Sequence, residues 1–173
     1  MEVLFIVAEK NFRDEELLNT KEVLEKAGIK AEIASKTSGI KTGSLGAKVL
    51  AVSFSEVYIE KYRAVIFVGG QGSQQYFDDT EALEIAKKAG EIGKIVAAIC
   101  IAPVILANAG ILEGKKATVW SSASDKTYIH AIEGKGAAFS EDAVVQDGSI
   151  ITANGPAAAR AFGEKIVKAL KHK

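Results

Sequence analysis

The sequence predicts an α/β fold, a three-layer sandwich built on a mainly parallel sheet. Three observations carry this reading. Several short segments are continuously apolar, as strands buried on both faces must be. They alternate with helices whose apolar residues recur on one side. The 173 residues are 48% apolar, which supplies side chains for one substantial core, so a single domain over 1–173 is expected.

Glu2 to Ala8 reads as the first strand, because Val-Leu-Phe-Ile-Val-Ala is apolar throughout. In the helix that follows, Leu17, Leu18, Val23, Leu24 and Ala27 recur about one turn apart, and Gly28 supplies the stop. Lys30 to Ser35 is the second strand. Lys36 to Ser55 is rich in Gly, Ser and Thr, with an apolar piece around Val49 to Val52, and predicts a hairpin or loop excursion. Ala64 to Val68 is a further buried strand that runs into Gly69-Gly70-Gln71-Gly72. The chain then predicts a helix over Glu81 to Ile92, a strand over Lys94 to Ile99, and a helix over Pro103 to Ala109 closed by Gly110. A short strand at Ala117 to Trp120 and a short helix at Asp125 to Ile132 follow. Asp147-Gly148 between apolar pairs predicts a tight hairpin, and Gly155-Pro156 opens the last helix.

Composition excludes several classes of function. Twenty-two basic residues balance 22 acidic ones, so no overall field attracts nucleic acid or an acidic membrane surface. The longest apolar run, around Val3 to Ala8, falls far short of the roughly 18 to 20 residues that cross a bilayer, and the start lacks the pattern of a signal peptide. A single cysteine and two histidines exclude an internal disulfide and a zinc cluster, so no metal or cofactor is expected. A cytoplasmic, reducing location fits this usage.

In sheets of this kind ligands bind at the carboxyl ends of the strands, which directs attention to residues 8–16, 69–73 and 100–103. Cys100 stands between the strand Ile95 to Ile99 and the helix that begins near Pro103. A lone intracellular cysteine is most often a small core residue. An elbow between strand and helix instead projects the side chain toward the mouth of the sheet, and helix-terminal amides there lower a thiol's pKa from about 8.5. Gly69-Gly70-Gln71-Gly72 matches neither a P-loop nor G-x-G-x-x-G; it is either a turn needing positive φ or a backbone aimed at an oxyanion. The acidic run Asp14-Glu15-Glu16 suits a helix start, and one of its carboxyls, buried, would stay protonated and act as an acid toward sulfur. His130 and His172 are poor candidates for a base, and Trp120 reads as core packing more readily than as a pocket wall.

Together, Asp14-Glu15-Glu16-Leu17, Val68-Gly69-Gly70-Gln71-Gly72, Ala97-Ala98-Ile99-Cys100-Ile101-Ala102-Pro103 and Thr152-Ala153-Asn154-Gly155-Pro156 resemble the ThiJ/PfpI family. That family includes the parkinsonism-associated deglycase and PfpI-type intracellular proteases. The resemblance implies a flavodoxin-like fold of the class I glutamine amidotransferase type. It further implies that Cys100 is the nucleophile or oxidisable thiol, with Glu16 as the carboxyl contacting it. Gly70 and Ile101 would offer backbone N–H groups to an oxyanion, and Gly69, Trp120, Gly155 and Pro156 would line the pocket. A homodimer or an assembly of dimers is implied as well. The sequence departs from the family pattern in having Ile101 and Trp120 where histidines usually stand.

Four readings of function remain in view. The first is a hydrolase or lyase acting without a cofactor on small reactive carbonyls, glyoxalase-like or deglycase-like. The second is a redox-responsive stress protein in which an oxidant converts Cys100 to sulfinate. The third is a cysteine peptidase or amidase; the missing histidines disfavour proteolysis. The last is a degenerate member of the family that serves only as a binding scaffold.

Overall fold

The computed structural model describes residues 1–172. The chain runs β1 (Glu2–Ile6), β2 (Lys10–Phe12), α1 (Asp14–Lys26), β3 (Lys30–Ser35), β4 (Gly39–Gly43), β5 (Lys48–Ser53) and β6 (Ala64–Phe67). It continues through α2 (Thr80–Glu91), β7 (Ile95–Ile99), α3 (Pro103–Asn108), β8 (Lys116–Ala117) and α4 (Thr127–Glu133). The last elements are β9 (Ala138–Phe139), β10 (Val144–Asp147), β11 (Ile150–Ala153) and α5 (Ala159–Lys171). Nine strands form one sheet in the order β10-β11-β7-β6-β1-β3-β5-β4-β2, antiparallel only at β10–β11 and β4–β5.

The centre of this sheet is the part most legible from composition. Every residue of Val3–Val7, Ala64–Phe67 and Ile95–Ile99 is at most 1% exposed. Helices cover both faces, with α1 against α5 on one side and α2 against α3 on the other. From β1 the chain crosses outward to β3 in one direction and to β6 and β7 in the other. Crossovers of one hand made in opposite directions place their helices on opposite faces, and the strand order reverses at β1. A crevice is left at the carboxyl ends of β1, β6 and β7.

Several boundaries differ from the expectation. The first strand pairs regularly only to Ile6, although Val7 still donates to the Ala34 carbonyl and Ala8 is fully buried. The unexpected β2 pairs with β4 through Lys10 and Phe12, with a register shift at Asn11, whose φ is 58°. Of the strand expected at 117–120 only Lys116–Ala117 exists, paired with β9 apart from the main sheet. Beyond it, Thr118 N–H donates to Thr152 Oγ1 (2.9 Å) and Trp120 N–H to the Cys100 carbonyl (2.8 Å), so tertiary bonds replace a ladder. The helix expected from Asp125 starts at Thr127, because the Asp125 carboxylate accepts the Thr127 N–H. Pro156 opens a short 3-10 turn before α5 begins at Ala159.

Candidate active site

Cys100 follows β7 directly and has φ 63°, in the left-handed region that side chains other than glycine rarely occupy. Such a conformation costs on the order of 1–3 kcal/mol and needs surrounding structure to hold it. Here its N–H donates to the Ala153 carbonyl (2.9 Å), and its own carbonyl accepts the Trp120 N–H. Both flanking segments therefore clamp the elbow, and the side chain is thrown into the crevice.

Glu16 reaches the same point from the first turn of α1 and is fully buried. Its Oε2 accepts the Gly69 N–H at 2.8 Å, while Oε1 has no nitrogen or oxygen partner and the carboxyl interacts with the Cys100 thiol. Burial raises its pKa to about 7, although Cys100, Gly69 and Arg13 pull the other way. The sulfur departs from expectation: its pKa is raised, not lowered. Burial contributes most, then the Glu16 charge and hydrogen bond, and the Gly70 and Ile101 amides oppose them. The expected amides are in place, but α3 is only six residues long and its dipole does not offset a buried carboxylate beside the thiol.

Two glycines make this closeness possible. A Cβ on Gly69 would lie 2.6 Å from the Cβ of Cys100, from Glu16 Oε2 and from the Ile99 carbonyl. Gly70 has φ 96°, and a Cβ there would lie 2.5 Å from the Arg13 nitrogen. The glycine turn therefore lies against the backbone entering α1, tied by Arg13 N–H to the Gly69 carbonyl at 3.0 Å.

The resulting cavity of about 330 Å³ is lined by Glu16, Gly70, Cys100, Ile101, Trp120 and Pro156. Gly69 and Gly155 do not line it. Gly69 is buried behind the Glu16 carboxyl, and Gly155 is buried with its α-carbon facing the edge of Trp120. Trp120 is not core packing but a half-buried wall, edge-on to Tyr128 at 6.1 Å. Arg13, Ser44, Gln71 and Tyr128 complete the lining and were missed. Arg13 and Gln71 lie within the segments 8–16 and 69–73 already singled out but were given no role, whereas Ser44 and Tyr128 arrive from remote segments with no local signal. The side chain of His130 is 76% exposed on α4, and His172 borders a different groove with Gln146 and Lys165. Among the described residues no group of three His, Cys, Asp or Glu side chains is placed to hold a metal, and no helix is long and apolar enough to cross a membrane.

Comparison with known proteins bears on the family and the fold. The model of the DJ-1/PfpI family matches residues 1–169. An uncharacterized protein of Methanocaldococcus jannaschii, MJ0967, is 40% identical over 98% of this chain and 82% of its own. The deglycase PfpI of Pyrococcus furiosus is 34% identical over 99% of this chain and 100% of its own. Among solved structures, a ThiJ/PfpI domain protein of Brachyspira murdochii superposes with TM-score 0.95 at 34% identity, covering 99% of this chain and 97% of that one.

Proposed function

The chain belongs to the DJ-1/PfpI family, and from that premise we propose that it is a cofactor-independent deglycase-type enzyme acting on reactive carbonyls and their amine or thiol adducts. The observation that carries this reading is the contact of Cys100 with a buried carboxyl whose pKa is about 7, in a cavity lined by no histidine. Several archaeal relatives bear the name deglycase, which supports the same class.

In the proposed cycle the ionised Glu16 takes the thiol proton as sulfur attacks the carbon that bears the amine or thiol. A C–S bond forms, the C–N or C–S bond to the leaving group breaks, and Glu16 returns the proton to that group. With a 2-oxoaldehyde portion, Glu16 then moves a proton from the thiohemiacetal carbon to the neighbouring carbonyl carbon, while the thiohemiacetal hydroxyl proton passes to the neighbouring carbonyl oxygen, leaving a 2-hydroxy thioester. The first carbon is oxidised and its neighbour reduced, so no external oxidant is required. Water hydrolyses the thioester to a 2-hydroxy acid and frees Cys100. The N–H groups of Gly70 and Ile101 are the donors proposed for each oxyanion. One carboxyl suffices for every proton transfer, because a pKa near the working pH suits both acid and base roles.

Oxidant sensing asks for a resting thiolate, against which burial and the Glu16 charge both work. Proteolysis asks for a base beside sulfur in addition to the carboxyl, and His130 faces solvent instead. Timed loss of methylglyoxal adducts and of peptide substrates should separate these functions. Adduct loss is expected in the wild type and absent in Cys100→Ser, with peptide cleavage equal in both. Cys100-dependent peptide cleavage that disappears in His130→Ala would overturn the assignment.

A further inference from the structure

Among the described residues, Arg13 is the only cationic side chain lining the Cys100 cavity. Its backbone is fastened to the glycine turn, and its side chain is 38% exposed. Glu15 Oε1 accepts from the guanidinium Nη2 at 3.1 Å, and Oε2 lies 2.8 Å from Nε as an ion pair without hydrogen-bond alignment. The other terminal nitrogen takes part in neither contact with Glu15. A guanidinium presents five N–H donors in a fork that matches a carboxylate, so Glu15 orients this one and leaves an edge for a second anion. The cavity, at about 330 Å³, stands at the small end of ligand pockets, and Trp120 and Tyr128 wall one side.

We propose that Arg13 selects substrates whose leaving group carries a carboxylate, so that the site takes carbonyl adducts of free amino acids or small thiol acids rather than of side chains in folded proteins. This rests on the adduct-cleaving function proposed above. Binding energy for the Arg13 pair comes from a part of the substrate remote from the reacting carbon. The cation also offsets the repulsion that an incoming carboxylate meets from Glu16.

The test uses binding without turnover. Trp120 is the sole tryptophan and lies in the cavity wall, so its fluorescence reports occupancy. In a Cys100→Ser protein, N-acetylalanine and N-acetylalaninamide, which differ in the carboxylate, are titrated in turn. The acid is expected to bind roughly tenfold tighter than the amide, as one charge-assisted pair implies. That preference should shrink with added salt, fall to near unity in Arg13→Gln, and be intermediate in Arg13→Lys. Equal affinity for acid and amide overturns the proposal, as does a preference that survives Arg13→Gln or no response to either compound. If Arg13→Gln does not fold, the acid-to-amide ratio and its salt dependence in the Arg13 protein still decide. A failure here leaves Cys100-dependent adduct loss standing, and a failure of that activity leaves this binding result standing.

Discussion

One exchangeable proton between Glu16 and Cys100 governs the chemistry proposed at the residue scale. Because burial and the Glu16 charge raise the thiol's pKa, iodoacetamide labelling of the wild type should show its midpoint above the ordinary value of about 8.5. Glu16→Gln removes the charge and keeps the shape. The labelling midpoint should therefore fall, yet adduct turnover should fall about 100- to 10,000-fold with the loss of the proton carrier. In the wild type kcat/KM should rise with pH through about 7, since the base form of Glu16 is the active one. An unchanged or higher midpoint in Glu16→Gln would show that the carboxylate does not suppress the thiol.

At the scale of elements, the hairpin of β4 and β5 closes one flank of the cavity and is tied down by charge. Asp14, in the same helical turn as Glu16, accepts the N–H groups of Leu45 (2.9 Å) and Ala47 (2.7 Å), which sets the loop that carries Ser44. At the other end of the hairpin, Lys41 on β4 is buried and reaches Glu9 Oε2 at 2.6 Å, and Glu9 also accepts from Ser35 and Thr37. The pair is unequal: the Lys41 side chain is 4% exposed and that of Glu9 31%. Glu9→Gln strands a buried ammonium and should cost about 3 kcal/mol. Lys41→Met leaves a carboxylate that water still reaches and should cost less, about 1 kcal/mol. Urea unfolding of both variants checks the order; the reverse order would mean that Lys41 is solvated once unpaired.

Across the whole molecule, folding buries a carboxyl that the unfolded chain leaves in water. Glu16 has a pKa of about 7 when folded against an ordinary 4.5, so between those values the folded state binds more protons. Its contribution is fully present below pH 4.5 and lost as pH rises through 7, with a ceiling of about 3 kcal/mol. Glu16→Gln cannot ionise and should escape this loss. Unfolding of both proteins at pH 5 and pH 8 should show the variant gaining on the wild type at the higher pH. A difference independent of pH would mean that the carboxyl is not buried in its charged form.

The sequence by itself determined the layered architecture, since runs such as Val3–Val7 and Ile95–Ile99 are apolar on both faces and have no stable place outside a covered sheet. It also marked the elbow at Cys100, the glycine turn at Gly69-Gly70 and an acidic helix start, whereas the choice of Glu16 among three acidic residues and of the Gly70 and Ile101 amides came from the family resemblance. The short β2 was hidden, as three residues are too few to show a period. Trp120 was misread because its backbone bond to Cys100, which turns it toward the cavity, joins segments twenty residues apart. Ser44 and Tyr128 reach the cavity only through folding of the hairpin and of α4. The direction of the thiol's pKa was decided by tertiary structure alone. Local sequence placed sulfur at a helix start, but burial and the distance to Glu16, held by Gly69 from a third segment, set the electrostatic balance.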